Sequence, residues 1–155
     1  MERLLNHHWI LYIMSIAKFE IKSIDAERFT SSQNRKKNVR IDHNSSVTKI
    51  KQITKDSFDI YFRFTANYKS IGRIELEGRL MIKDAPSDLA SKWRDKNEMP
   101  NEIANQVHSA IIQNCIPKSV LIAREVQLPP PIPMPKVNVP KNGKKKKPQR
   151  GMEVA

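Results

Sequence analysis

Apolar and polar residues alternate along the first half of the chain and recur at helical spacing along the second. Residues 15–25 place Ala17, Phe19 and Ile21 on one side, with Lys18, Glu20 and Lys22 on the other. That is the period-two pattern of a half-buried strand. Val39-Arg40-Ile41 and Val47 to Ile53 read as short strand pieces around the polar Asn44-Ser45-Ser46. The clearest alternation carries Phe58, Ile60, Phe62 and Phe64, then Ile74, Leu76 and Leu80, with Gly78 as the gap. The short polar connection Asn67-Tyr68-Lys69-Ser70 predicts a hairpin. A three-residue loop at 68–70 sets Arg63 opposite Glu75 and Asp59 opposite Arg79. It also sets Phe64, Phe62 and Phe58 opposite Ile74, Leu76 and Leu80. Such cross-strand pairs contribute about 0.2–1 kcal/mol each, and a slip by two that sets Arg63 against Arg73 loses them.

After Lys83 the period lengthens. Ser87 is a candidate N-cap ahead of Leu89, Ala90 and Trp93, and this helix stops before Pro100. Pro100-Asn101-Glu102 opens a longer helix. Ile103, Val107, Ala110 and Ile111 form its stripe, Ile112, Cys115 and Ile116 widen it, and Val120, Leu121 and Ala123 continue it to about Val126. So broad a stripe predicts burial against a sheet or a partner chain. Pro117 predicts a kink or a break. Residues 128–135 then hold five prolines in eight positions, which predicts an extended polyproline II segment. Strands first and helices last predict an α+β fold, with an antiparallel sheet of about four strands and one or two C-terminal helices on one face. The expected divisions are a leader or extra segment at 1–13, a domain at 14–128, a proline-rich strap at 129–140 and a basic tail at 141–155.

Composition sharpens this picture. A chain of 155 residues excludes a multidomain enzyme. Lys and Arg number 28 against 16 Asp and Glu, so the formal net charge is +12. Residues 136–155 hold seven of the cations and one acid, Glu153, which places +6 in the last twenty residues. The phosphate-binding candidates are Arg35, Lys36, Lys37 and Arg40 in a loop, and Lys141, Lys144, Lys145, Lys146, Lys147 and Arg150 in the tail. Clustered cations gain affinity for RNA by releasing counterions. Tyr61 and Tyr68 are the candidates for base stacking on the outer face.

Catalytic chemistry is not legible. His7, His8, His43 and His108 lack metal-ligand spacing, and Cys115 falls on the apolar stripe. Asp59, Glu75 and Glu77 fall on the paired outer face of the hairpin, and no phosphate-cradling glycine loop occurs. The expectation is a non-enzymatic binding protein without a cofactor or metal. A single cysteine excludes an internal disulfide framework and makes a reducing, cytoplasmic setting the default. No apolar run reaches the roughly 20 residues that span a bilayer. Pro130 and Pro133 have the spacing of a PxxP ligand, but a rigid strap that packs Ile132 and Met134 on the domain is the preferred reading.

The order of elements resembles a known family. Asn114-Cys115-Ile116-Pro117 leads through Ala123-Arg124-Glu125-Val126 into Leu128-Pro129-Pro130-Pro131-Ile132-Pro133-Met134-Pro135. With the hairpin text Ile71-Gly72-Arg73-Ile74-Glu75-Leu76-Glu77-Gly78, this is similar to the SecB export-chaperone family, in its short archaeal form, over roughly residues 15–138. The resemblance implies a protein that holds non-native polypeptide in apolar grooves and assembles as a homo-oligomer. It also implies that Leu128, Ile132 and Met134 line the groove. The chain departs from the bacterial members, which are acidic and carry a further helix after the strap. A ribosome-associated protein that binds rRNA through its tail and loop is the alternative expectation.

Overall fold

The structure is a computed structural model that describes residues 14–31 and 39–132. Four strands and two helices follow in order: β1 (Ser15–Arg28), β2 (Asp42–Gln52), β3 (Phe58–Asn67), β4 (Gly72–Lys83), α1 (Leu89–Lys96) and α2 (Asn101–Glu125). The strands form one antiparallel sheet in the order β1-β4-β3-β2, so β1 and β2 are its edges. The expected fold class is therefore the observed one.

The even-numbered residues from Phe58 to Tyr68 and from Ile74 to Ile82 point into the core, where Phe58, Ile60, Phe64, Ile74, Leu76, Leu80 and Ile82 have no exposed surface. Each such side chain contributes roughly 1.5–3 kcal/mol of hydrophobic stabilisation. The hairpin register differs from the sequence expectation. Phe64 pairs with Leu76, Phe62 with Gly78, Ile60 with Leu80 and Phe58 with Ile82. The three-residue loop is 69–71, closed by Tyr68 N–H on Gly72 O at 3.0 Å. Two physical reasons fix this register. Tyr68 continues the inward alternation and is fully buried, and Gly78 makes room for the Phe62 ring. A Cβ on Gly78 would sit 2.9 Å from Phe62 Cζ and would collide with the Glu20 carbonyl oxygen. Because the shift is by two, every side chain keeps its face. Arg63 now reaches Glu77 at 2.6 Å and Glu75 at 3.6 Å, while Asp59 still meets Arg79 at 3.0 Å, diagonally.

The polar Asn44-Ser45-Ser46 does not interrupt β2. Pairing with β3 carries it: Ser45 turns inward and bonds His108 Nδ1 at 2.8 Å, while β1 at the opposite edge runs to Arg28. On the outer face Glu20 binds Lys18 at 2.8 Å and Arg79 at 2.7 Å. The Lys18 bond first, and the Arg79 bond second, lower its pKa from 4.5 to about 2.

Residue Asp88, not Ser87, occupies the N-cap position of α1. The helix ends at Asn97, whose left-handed backbone turns its N–H back onto Trp93 O at 2.9 Å. Helix α2 runs through Pro117 without a break. The carbonyl that loses its helix partner belongs to Gln113, an exposed residue. The buried positions are Ile103, Val107, Ile111, Cys115, Ser119 and Ala123, one every four residues. At 3.6 residues per turn this row winds by about 40° per step, so the helix buries an oblique ridge and not the broad stripe expected. Leu121, at 65% exposed, and Ile112, at 38%, are left outside the core. Cys115 is a buried hydrophobe as expected, and desolvation pushes its thiol up to about 12. No helix among the described residues is long and apolar enough to cross a membrane.

Candidate functional site

The last turn of α2 aims the strap. Gln127 adopts a left-handed backbone, with φ 56°. Leu128 N–H then reaches Ala123 O at 2.8 Å, and Gln127 N–H reaches Arg124 O at 3.2 Å. This is a Schellman termination made without glycine, and its apolar contact is Leu128 folded inward. Leu128 is 5% exposed and covers Gly72, where a Cβ would lie 3.0 Å from a Leu128 methyl. From there the strap crosses the end of the sheet. The Tyr68 hydroxyl donates to Pro129 O at 2.6 Å, and His43 Nε2 donates to Pro131 O at 2.8 Å. His43 also tilts against the Phe64 ring, with centroids 6.0 Å apart. Burial raises the Tyr68 pKa well above its ordinary 10.0, which keeps the hydroxyl a donor.

These bonds correct two expectations. Ile132 does not pack on the domain but is 48% exposed; Pro131 is buried in its place. The bond from His43 draws Pro131 onto the domain, and the Ile132 N–H turns back onto Pro130 O at 2.9 Å, a tight turn that interrupts the polyproline II run expected here and swings Ile132 outward. Tyr68 cannot stack a base, because it is fully buried under the strap. Of the three expected groove residues, Leu128 is thus an anchor, Ile132 is free at the surface, and Met134 lies outside the described residues.

The second feature lies at the edge of β2 that no other strand among the described residues pairs. A groove of about 500 Å³ runs between this edge and α1. Its floor is Thr48, Lys49, Ile50, Lys51 and Gln52, and its wall is Ser87, Ala90, Ser91, Trp93 and Arg94. Trp93 and Ala90 are partly buried and lean on the core. An edge strand offers unpaired backbone donors and acceptors, and here α1 supplies an apolar wall beside them. A bulge between Val47 and Lys49 ends the regular stretch. Sequence reasoning missed this groove, since neither segment carries a motif and only their juxtaposition makes the site.

Of the phosphate-binding candidates, Arg40 alone falls within the described residues. Arg40 is exposed and bonds Asp42 at 3.1 Å. Lys69, at 2.7 Å, and then Arg40 hold the Asp42 carboxyl below the usual range. Arg35, Lys36, Lys37, Lys141, Lys144, Lys145, Lys146, Lys147 and Arg150 lie outside the described residues. Tyr61 does sit on the outer face, with Lys22 Nζ 5.5 Å and Lys49 Nζ 5.8 Å from its ring centroid. Among the described residues no group of three or more His, Cys, Asp or Glu could hold a metal ion.

No family model and no curated protein sequence matches the chain. Its fold is similar to that of a solved SecB-like chaperone of Mycobacterium tuberculosis, determined in complex with a ChAD peptide from an antitoxin. The TM-score is 0.56 at 10% sequence identity, over 78% of this chain and 88% of that one.

Proposed function

We propose that the protein is a cytoplasmic, non-enzymatic, SecB-like binding module that holds unfolded polypeptide. The observation that carries this reading is the groove of about 500 Å³ between the free edge of β2 and α1. Such a site takes any extended segment, because backbone groups on an edge bond a neighbouring strand irrespective of its sequence. Apolar side chains of the segment meet Ala90 and Trp93. The strap frames the other end of β2 through His43 and leaves Ile132 exposed as a second apolar contact. The fold likeness to a chaperone solved with a bound peptide is in keeping with this use. The free edge of β1, with Ile24 58% exposed and Ile16 39% exposed, is the surface on which copies of the chain would assemble.

The tail supports an accessory role. With +6 over residues 136–155, it would draw the module to RNA phosphate, and through rRNA to the ribosome, where unfolded chains emerge.

The test is aggregation suppression. A chemically denatured client diluted into buffer should stay soluble when the protein is present at comparable concentration, with no nucleotide added. Unchanged light scattering at a several-fold excess of protein would overturn the reading.

A further inference from the structure

The β2 groove has a charge pattern that the holding of polypeptide does not require. Lys49 and Lys51 stand two residues apart, so both project from the outer face of the sheet, at the very edge that the groove exposes. Among the described residues neither forms an ion pair with a carboxylate; Asp59, across from Lys51, is engaged by Arg79 at 3.0 Å. The groove lining itself contains no acid. On the α1 side, Lys92 and Arg94 are matched by Asp88 at 2.9 Å and Asp95 at 3.4 Å. The rim therefore keeps a surplus of two positive charges, both on β2.

We propose that this groove selects acidic segments, bound as an added strand in which Asp or Glu alternates with apolar residues. The proposal rests on the polypeptide-holding reading and names the class of segment held. The geometry follows from strand pairing. In a strand laid on β2, side chains of one face stand beside Lys49 and Lys51, at the roughly 5 Å spacing of cross-strand neighbours. Those of the other face turn toward Ala90 and Trp93. Period two thus puts acids against ammonium groups and apolar groups against the helix wall. A basic segment, including the chain's own Lys144–Lys147 run, meets like charge at the same positions.

The test uses the full-length protein and three ten-residue peptides that alternate valine with glutamate, threonine or lysine. Dissociation constants are measured by fluorescence anisotropy at low and high salt. The valine–glutamate peptide should bind about tenfold tighter than valine–threonine, with valine–lysine weakest, and high salt should shrink the gap. The Lys49→Glu/Lys51→Glu variant keeps the basic tail and should reverse the order, which separates the groove from adsorption on the tail. Ser91→Trp, which fills the groove, should weaken all three peptides. Binding of the threonine peptide with no gain from glutamate overturns the acid selection and leaves the holding function standing. So does an order unchanged in the Lys49→Glu/Lys51→Glu variant. Equal binding by wild type and Ser91→Trp overturns the location. Binding of none of the three peptides overturns both readings.

Discussion

Replacing Tyr68 with Phe removes one oxygen and tests how the strap is held. The ring is fully buried, and its hydroxyl donates to Pro129 O at 2.6 Å. Phe keeps the packing, so the loss is one neutral hydrogen bond. Pro129 is exposed and its carbonyl can turn to water, which places the cost at about 1 kcal/mol and not at the larger value of a buried orphan. For a chain of this size that corresponds to roughly 3 °C in Tm. The second tie, His43 to Pro131 O, remains and keeps the strap seated. Tyr68→Phe/His43→Ala releases both ties, so its loss should exceed the sum of the singles. Urea unfolding reads the stability, and hydrogen exchange at the Leu128 and Ile132 amides reads strap opening. Unfolding energies within about 0.3 kcal/mol of wild type, together with unchanged Ile132 exchange in the double variant, would refute the account.

Three further outcomes are expected. Glu20 titrates near 2, below its ordinary 4.5, so its contribution to stability is full above that ordinary value and is lost as pH falls through the lowered one. Glu20→Gln should flatten the acid limb of unfolding free energy against pH between those values. Cys115 is the opposite case: its thiol is raised from 9.0 to about 12, so its contribution is full below pH 9 and is lost as pH rises through about 12. The alkaline decline should be steeper in wild type than in Cys115→Ala. Truncation after Val139 removes six of the seven cations in residues 136–155, leaving Lys136. It should cut RNA affinity and flatten its dependence on salt, measured by filter binding; an unchanged salt slope would exclude the tail as the phosphate contact.

The fold was legible where one physical rule acted alone. Alternation identified the inward faces of β3 and β4, and proline placed the strap after the last helix. The register was not, because opposite charges pair almost equally well in two alignments. The choice falls to Phe62 over Gly78 and to the burial of Tyr68, which are packing facts. The continuity of β2 was hidden because Ser45 is polar yet inward, with its partner His108 far off in sequence. The turn after α2 was hidden because Gln127 holds a conformation usually given to glycine. Ile132 was misplaced because the turn that brings its N–H onto Pro130 O, with Pro131 held by His43, has no signature within a run of prolines. The groove had no sequence signature at all, since β2 reads as a polar edge and α1 as a short amphipathic helix.

The most direct test of the account is hydrogen exchange of the full chain, alone and with a permanently unfolded, reduced client. Slowed exchange confined to residues 48–52 and 87–94 is the predicted result. Slowing elsewhere in the sheet with those two segments unchanged would contradict the claim that polypeptide is held along the β2 edge.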